Sequence, residues 1–451
     1  MNMMPYKVKT FEQIKLIPKE ERLMCLQNTG YNPFPLPEEA VSIDLLTDSG
    51  TGALSKNQRS AMGQASRAYC GSPSFRRLVR SVNDIFGFEY VVPVQQGRGA
   101  EHVTDFVLVQ KGSLVPGNAH FDTTKANIEI MGGHPVNCTV DEAYDMSSDH
   151  QFKGNIDLSK LEKVLQKYAY KVSYVLHTVT CNQVGGQPVS MENISDVSGM
   201  CKKYGVLFFL DGARFAENAY FIKEREHQNA GIGAIVSGMM SLADGMLMSG
   251  KKNCLSPGGG FIALRNKSLY EKLLPYSIAF IGGMEYGGMT GETMEAFAVG
   301  IREGIEEDLL AHRVSQVRYL GNELKKIGVP FITPVGGHAI FVDAGKWLSH
   351  IQWDKFPGHA LVCKLYEEDG IRCVEVGSLI EGRDPKTKEN RRAKMELVRL
   401  AVPHRTYAES HFDFIAEAFN KISGKRQDIK GVEFTHETYP LRHFTSKFRP
   451  I

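Results

Sequence analysis

The sequence predicts an α/β fold, in which a large domain with a mostly parallel sheet is joined to a smaller α+β domain. Short apolar runs alternate with helical patterns over the first two thirds of the chain, and this rhythm changes after about residue 305. Strands and helices that alternate at this spacing favour a parallel sheet with helices on both faces. At 451 residues, the chain is also too long for one ordinary domain.

The first part of the chain contains the predicted strands of the large sheet. Helices are predicted over Leu158–Tyr168 and Met191–Tyr204, because apolar residues recur there at helical spacing. The strands are predicted from continuous apolar runs at Tyr90–Val94, Val172–Val179, Val206–Leu210, Gly245–Met248 and Gly260–Leu264.

The second part opens with a long helical pattern, Ile305–Ile327. Shorter strands are predicted after it, at Ala339–Val342, Ile371–Val376 and Leu397–Val402. The charged segment Glu381–Arg392 contains glycine and proline and is predicted to be a surface loop. We therefore divide the chain into an N-terminal arm with part of the small domain (1–46), a large domain (47–304) and a small C-terminal domain (305–451).

Composition argues against several classes of protein. The formal net charge is only +2, so the charge of the chain does not indicate binding to nucleic acid. No apolar run reaches the roughly 18 residues of a membrane span, and the N-terminus lacks the apolar region of a signal peptide. The eight cysteines are scattered without a Cys-x-x-Cys pair, which indicates reduced thiols in a cytoplasmic protein and neither a zinc site nor a disulfide framework.

A pair of lysines, Lys251 and Lys252, follows the predicted strand that ends in Ser249-Gly250. A lysine at the carboxyl end of a buried strand can be desolvated, which frees its amine to attack a carbonyl. Most lysine pairs are solvated, so this pair alone is weak evidence of function.

Two other strand ends carry groups that fit the same chemistry. Asp211 ends an apolar strand and precedes Arg214; a buried carboxylate there can keep a pyridine nitrogen protonated, although it could also cap the next helix. The turn Gln95–Glu101 is rich in small residues, so its backbone N–H groups can approach a phosphate. Together with the lysine, these groups favour pyridoxal phosphate as the cofactor.

Longer motifs carry a family resemblance. They occur in the family's order, nearly from end to end of the chain, at Ile43–Gly52, Gln96–Glu101, Gly185–Ser190, Ala213–Lys223, Met248–Lys252, Tyr286–Gly288, Pro334–Ala339 and Leu441–Thr445. With these motifs the chain resembles the tryptophanase and tyrosine phenol-lyase family of pyridoxal phosphate-dependent β-eliminating lyases. The resemblance implies the aspartate aminotransferase-like fold (fold type I) and a homotetramer, a dimer of dimers with active sites at subunit interfaces.

The resemblance implies roles for individual residues around the cofactor. Lys252 matches the family's Schiff-base lysine, which also removes the substrate Cα proton, and Lys251 matches its neighbour. Phe121 matches the aromatic residue that stacks on the cofactor ring. The other matches are Asn182, Asp211 and Arg214 for the ring nitrogen and phenolic oxygen, and Gln96, Gly97, Arg98 and Ser249 for the phosphate.

Substrate and leaving-group roles follow from the same resemblance. Tyr69 matches the tyrosine that protonates the leaving group, and Tyr286 matches a second active-site tyrosine donated across a subunit interface. Without the family, both would be interpreted as ordinary half-buried aromatics. The matched substrate positions are Thr47, Phe34, Val376, His404 and Arg405.

Three positions favour the tryptophanase branch. Val376 stands where phenol-lyases carry an arginine for the phenol oxygen, and an aliphatic residue offers that oxygen no hydrogen-bond donor. Asp122 and His443 match tryptophanase residues where phenol-lyases carry threonine and phenylalanine. Indole leaves only after protonation of its ring, so a carboxylate, a histidine and Tyr69 are plausible acid–base groups.

Two positions depart from the family. His404 replaces the arginine that pairs with the substrate carboxylate, and Arg405 follows it in a segment predicted to be extended, where neighbouring side chains point to opposite faces. A histidine is not a bidentate guanidinium, so ordinary carboxylate binding is in doubt. Arg67 replaces a glutamate that helps bind an activating monovalent cation, which puts that cation in doubt.

The sequence therefore predicts a cytoplasmic lyase that converts an aromatic amino acid, first of all tryptophan, to indole, pyruvate and ammonia. The alternatives are β-elimination from tyrosine or from another aromatic or sulfur-linked amino acid, and aminotransfer on the same fold. A pseudoenzyme that only binds the cofactor is disfavoured by intact Lys252, Asp211, Arg214 and Tyr69.

Overall fold

A computed structural model describes residues 4–451, and its elements are numbered along the chain. The helices are α1 (Lys19–Asn28), α2 (Lys56–Met62), α3 (Pro73–Phe86), α4 (Gly97–Leu108), α5 (Asp122–Ile130), α6 (Leu158–Tyr168), α7 (Met191–Tyr204), α8 (Phe215–Arg225), α9 (Ile232–Ser241), α10 (Lys267–Phe280), α11 (Gly291–Glu303), α12 (Glu307–Lys326), α13 (Ala344–Trp347), α14 (Pro357–Asp369), α15 (Ser378–Glu381) and α16 (Glu409–Ser423). The strands are β1 (Ile43–Asp44), β2 (Tyr90–Val94), β3 (Leu114–Gly117), β4 (His134–Asn137), β5 (Val175–Thr178), β6 (Phe208–Asp211), β7 (Gly245–Ser249), β8 (Gly260–Leu264), β9 (Ala339–Asp343), β10 (Ile371–Arg372), β11 (Val374–Val376), β12 (Leu397–Ala401), β13 (Val432–His436) and β14 (Lys447–Pro450).

The chain forms two compact units. One is Ser49–Ala311, which we call the sheet unit. The other combines the residues through Asp48 with His312–Ile451, and we call it the terminal unit.

The sheet unit contains a seven-stranded sheet in the order β2-β8-β7-β6-β5-β3-β4. Strand β8 is antiparallel to both of its neighbours, β2 and β7, and the other pairs are parallel. The predicted α/β class with a mostly parallel sheet is therefore confirmed. The carboxyl ends of six strands lie along one edge of this sheet.

Burial on both faces explains why these strands are continuously apolar. Along β6, Phe208 and Leu210 belong to one apolar cluster and Phe209 belongs to another. The neighbouring strand β7 divides in the same way, with Met246 in the first cluster and Leu247 in the second. Alternate residues thus enter cores on opposite faces, as expected of a parallel sheet that helices cover on both sides.

The terminal unit contains three small sheets. Strands β11, β12 and β9 are antiparallel, β1 pairs with β10, and β13 pairs with β14. The single strand predicted over Ile371–Val376 is wrong, because Ile371 pairs with Ile43 of β1 whereas Val374 pairs with Arg399 of β12. The chain changes sheets at Cys373, and an apolar run does not reveal which partner each half will have.

Within residues 4–451, no helix combines the length and apolar character that crossing a bilayer requires. The same residues contain no cluster of three or more His, Cys, Asp or Glu side chains suited to a metal ion.

Candidate active site

The carboxyl edge of the sheet brings two of the predicted motifs together. Ser249, at the end of β7, pairs with Gly260 of β8, and Gly260 pairs with Val94 at the end of β2. The turn after β2 therefore lies beside Ser249. A Cβ atom on Gly97 would lie 2.9 Å from the Ser249 Cβ, so only glycine fits without a shift.

The N-terminus of α4 at this edge is suited to bind an anion. Gln96 is the N-cap residue, but no side chain caps the helix and its first turn contains no acidic residue. The Lys251 ammonium donates to Gln96 Oε1 at 3.1 Å. Burial and the positive charge of Arg98 lower the pKa of Lys251. Two cations beside uncapped N–H groups are the arrangement that a phosphate would neutralise.

Asp211 is the last residue of β6. Its carboxylate accepts a hydrogen bond from the Ala213 N–H at 3.1 Å. Helix α8 has Arg214 as its N-cap residue and no side-chain cap, so the alternative that Asp211 caps this helix is wrong. Burial raises the pKa of Asp211, whereas the charges of Lys252 and Arg214 lower it. A half-buried carboxylate therefore lies within reach of the charges of an amine and a guanidinium.

Different partners distinguish the two lysines. Lys251 interacts with Gln96 and Arg98 at the start of α4, whereas Lys252 interacts with Asp211 at the end of β6. An aldehyde that carries a phosphate and a basic ring nitrogen would thus find a cation at the start of α4, and an amine whose charge acts on a carboxylate at the end of β6.

Residues outside the predicted set hold the lysine loop. Asn253 Oδ1 accepts the backbone N–H of Ala216 in α8 at 2.7 Å, and its amide donates to buried Glu217. The Gln58 amide donates to the carbonyls of Cys254 and Leu255, each at 3.1 Å. Asn253 adjoins Lys252 in the sequence and could have been suspected; Gln58 carries no local signal.

The segments after β3 and β5 contain the other predicted cofactor residues. Phe121 is the N-cap residue of α5, and Asp122 is buried at the first position of that helix. The Thr123 N–H donates to Asp122 Oδ1 at 2.7 Å. Asn182 is buried after β5, and the following Gly185 has a φ of 91°, a value that L side chains rarely adopt.

Tyr69 and Tyr286 contact each other within one chain. Their ring centroids are 5.2 Å apart with the planes at 62°, and Tyr69 is 68% exposed. A hydrogen bond with Tyr286 raises the pKa of Tyr69. Both tyrosines belong to the sheet unit, and Tyr69 presents its ring at the surface of the isolated chain.

The predicted leaving-group histidine lies in the terminal unit. His443 is buried, and its ring is 5.9 Å from Phe34 and 4.1 Å from Phe444. The Asn32 amide donates to the His443 carbonyl at 3.2 Å. Phe34 and His443 are thus brought together by an aromatic cluster in this unit.

The predicted substrate residues also belong to the terminal unit. Val376 is buried at the end of β11, and Thr47 follows β1 in a loop. His404 is buried in a turn, where Arg405 has a φ of +58°. The prediction of an extended segment here is wrong, so strict alternation does not decide where the Arg405 side chain points. Burial raises the pKa of Tyr6, and the positive charges of Arg405 and Arg313 partly oppose that rise.

The fold matches that of solved enzymes at low sequence identity. Serine palmitoyltransferase from Sphingomonas wittichii superposes with a TM-score of 0.60 at 15% identity, covering 91% of this chain and 97% of that one. Threonine aldolase from Leishmania major gives 0.58 at 13% identity, covering 84% and 99%. The architecture is that of the aspartate aminotransferase-like, fold type I enzymes, as predicted.

Sequence comparison identifies the family. The β-eliminating lyase family matches residues 44–418. A tyrosine phenol-lyase from Symbiobacterium thermophilum is 44% identical over 450 residues, covering 99% of this chain and 98% of the relative. A tryptophanase from Haemophilus influenzae is 43% identical over 463 residues, with the same coverage. The chain belongs to the β-eliminating lyase family, which confirms the predicted resemblance and enzyme class. Identities of 44% and 43% do not choose between the two activities.

Proposed function

We propose that this protein uses pyridoxal phosphate to eliminate the aromatic ring of an L-amino acid, and that tryptophan is the substrate, with indole, pyruvate and ammonia as products. The observation that carries this proposal is the separation of the lysine pair. The charge of Lys252 acts on the half-buried carboxylate of Asp211, while Lys251 donates to Gln96 at an uncapped helix N-terminus.

The side chains present are chemically suited to this cofactor. The N-terminus of α4, with Arg98 and Lys251, provides charge for the phosphate, and Gly97 packs closely against Ser249 there. Asp211 provides an anion for the ring nitrogen. When bound, the cofactor supplies an aldehyde and an electron-accepting ring.

Proton transfers would then fall to side chains of this protein. Lys252 Nζ would hold the cofactor and afterwards take the substrate Cα proton. It follows β7 by three residues, and its charge acts on Asp211. The Tyr69 hydroxyl would hold the proton that the leaving ring receives, and contact with Tyr286 orients its ring. His443 and Asp122 would assist at the indole, as the family resemblance implies.

The preference for indole rests on Val376. Its side chain is apolar and buried, so it offers no donor to a phenol oxygen. An unpaired buried hydroxyl costs about 1–3 kcal/mol. Tyrosine is the second candidate, because relatives named tyrosine phenol-lyase are as similar as the one named tryptophanase.

The remaining parts of the proposal rest on the family resemblance. They are a cytoplasmic location and a homotetramer with active sites between subunits. The 68% exposure of Tyr69 supports a second copy as the group that covers it.

A substrate panel tests the proposal. The purified protein is incubated with pyridoxal phosphate and with tryptophan, tyrosine or S-alkylcysteine, and indole, phenol, thiol, pyruvate and ammonia are measured. We expect indole and pyruvate without any added 2-oxo acid, with kcat/KM for tryptophan above that for tyrosine. Phenol release faster than indole release would contradict the substrate, and a requirement for a 2-oxo acid would indicate aminotransfer.

A further inference from the structure

Helix α4 buries two carboxyl groups behind its anion-binding end. Glu101 and Asp105 are one helical turn apart, and both side chains are buried. Burying an ionised carboxylate is costly unless a cation pairs with it. Neither residue has a role in the proton transfers proposed above.

Hydroxyl groups contact Glu101. The Thr123 hydroxyl donates to Glu101 Oε2 at 2.6 Å, and the Thr124 hydroxyl donates to Oε1 at 2.7 Å. A threonine hydroxyl both donates and accepts, so these two partners can serve either a carboxylate or a carboxylic acid. Both threonines are in the first turn of α5, directly after Phe121 and Asp122.

Glu101 and Asp211 form an unequal pair of acids. Lys252 and Arg214 stabilise the charged form of Asp211. Glu101 instead has Asp211 and Asp122 near it, and burial, above all, raises its pKa to about 7. Neighbouring buried carboxyl groups do not readily ionise together, and the proton stays on the group with less positive charge around it.

We propose that Glu101 is a positioning residue that is protonated within this carboxyl cluster and so leaves Asp211 ionised, and that it fastens the start of α5 through Thr123 and Thr124. The cluster is Glu101 and Asp105 of α4, Asp122 of α5 and Asp211 of β6. That the ionised Asp211 serves the cofactor rests on the function proposed above, whereas the protonation state of Glu101 does not depend on it.

The elements packed on α4 supply other titratable side chains. Helices α5 and α10 and strands β2, β7 and β8 contact it. Strands β7 and β8 contain no titratable residue, and β2 contains only Tyr90. Tyr276 of α10 packs against Phe106, at the far end of α4. The remaining titratable residues of these elements are Lys125 and Glu129 of α5 and Lys267, Tyr270, Glu271 and Lys272 of α10. Tyr174 of the sheet unit donates to Asp105 Oδ1 at 2.5 Å. The charges that act most on Glu101 are those of Asp211 and Asp122.

The pH dependence of unfolding tests this protonation state in the protein without cofactor. An acid whose folded pKa is raised contributes stability below its ordinary value near 4.5 and loses it as the pH rises to about 7. Glu101→Gln keeps the shape and removes the ionisation. We expect its Tm to rise relative to the unmodified protein by several degrees between pH 5 and pH 8. The control is Glu142→Gln, an exposed glutamate of the same unit, whose Tm difference should not change with pH.

Two further measurements make the test decisive. Thr124→Val removes a hydrogen-bond donor to the ionised form of Glu101, so the inflection of Tm near pH 7 should move to higher pH. This variant tests the proposal even if Glu101→Gln does not fold. Cofactor affinity, measured by fluorescence at pH 7, should change less than about threefold in Glu101→Gln but fall more than tenfold in Asp211→Asn.

Two outcomes would overturn the inference: a Tm difference that is constant with pH, or a loss of cofactor affinity in Glu101→Gln as large as in Asp211→Asn. If no variant and no unmodified protein binds pyridoxal phosphate, the proposed function fails, while the pH experiment still decides the state of Glu101.

Discussion

At the residue scale, the adjacent lysines provide the sharpest prediction. Lys252→Ala should abolish the visible absorbance of lysine-linked cofactor, because the charge of Lys252 acts on Asp211 whereas Lys251 interacts with Gln96 and Arg98. Lys251→Ala should retain this absorbance but lower cofactor affinity on the order of tenfold, since a hydrogen bond to a charged group contributes about 1.5–3 kcal/mol. Absorbance spectra and equilibrium dialysis measure the two effects. Loss of the absorbance in Lys251→Ala alone would reverse the assignment.

His404 provides a second prediction at this scale. Leaving one partner of a buried charge pair unmatched costs about 2–5 kcal/mol, and a histidine does not replace a bidentate guanidinium. His404→Arg should therefore lower KM for tryptophan roughly tenfold or more. His436→Arg, at an exposed position of β13, is the matched control and should leave KM unchanged. An unaltered KM in His404→Arg would mean that Arg405, or another group, already binds the carboxylate.

At the element scale, the start of α4 depends on close packing against β7. A Cβ on Gly97 would meet the Ser249 Cβ at 2.9 Å and displace the N-terminal turn. Gly97→Ala should weaken cofactor affinity at least tenfold while unfolding stays cooperative. Gly199→Ala is the control: it is an exposed position within α7 with nothing within 4 Å, so it should keep affinity and add about 0.4–1 kcal/mol of stability. Equal affinities in the two variants would contradict the packing argument.

Elements with local signals are predicted to the residue. Helices α6 and α7 have the predicted bounds, because Asp157 and Ser190 cap their starts and both carry a clear apolar face. Five of the seven sheet strands were predicted, since burial on both faces makes them continuously apolar, whereas β3 and β4 were missed. Strand β4, His134–Asn137, is the partly exposed edge strand and has no apolar run.

The unpredicted features depend on distant partners. The division between β10 and β11 is set by their pairing with β1 and β12. The turn at Arg405, where φ is positive, has no signal in the local sequence. Gln58 supports the lysine loop from about 200 positions away in the sequence. The roles assigned to the substrate residues remain predictions, because they depend on a bound molecule as well as on the fold.

At the scale of the whole molecule, the surface around Tyr69 bears on the cation requirement. Arg67 is two residues from Tyr69, its side chain is 90% exposed, and its guanidinium is 3.7 Å from Glu292 Oε1. Such an exposed pair contributes little to stability by itself. The family resemblance implies that a carboxylate at the position of Arg67 helps bind a monovalent cation, so Arg67 would remove an anionic ligand and repel the ion.

The last prediction follows from this exchange of charge. Activity should be the same, within about twofold, in sodium, potassium or tetramethylammonium chloride at constant ionic strength, because a guanidinium can donate to the carbonyls that would otherwise bind the ion. Arg67→Glu should create a potassium requirement, seen as at least tenfold activation by potassium over tetramethylammonium. Arg59→Glu, which changes an exposed arginine in α2 by the same charge, should remain indifferent to the cation. Strong potassium activation of the unmodified protein would show instead that Arg67 leaves the cation site intact.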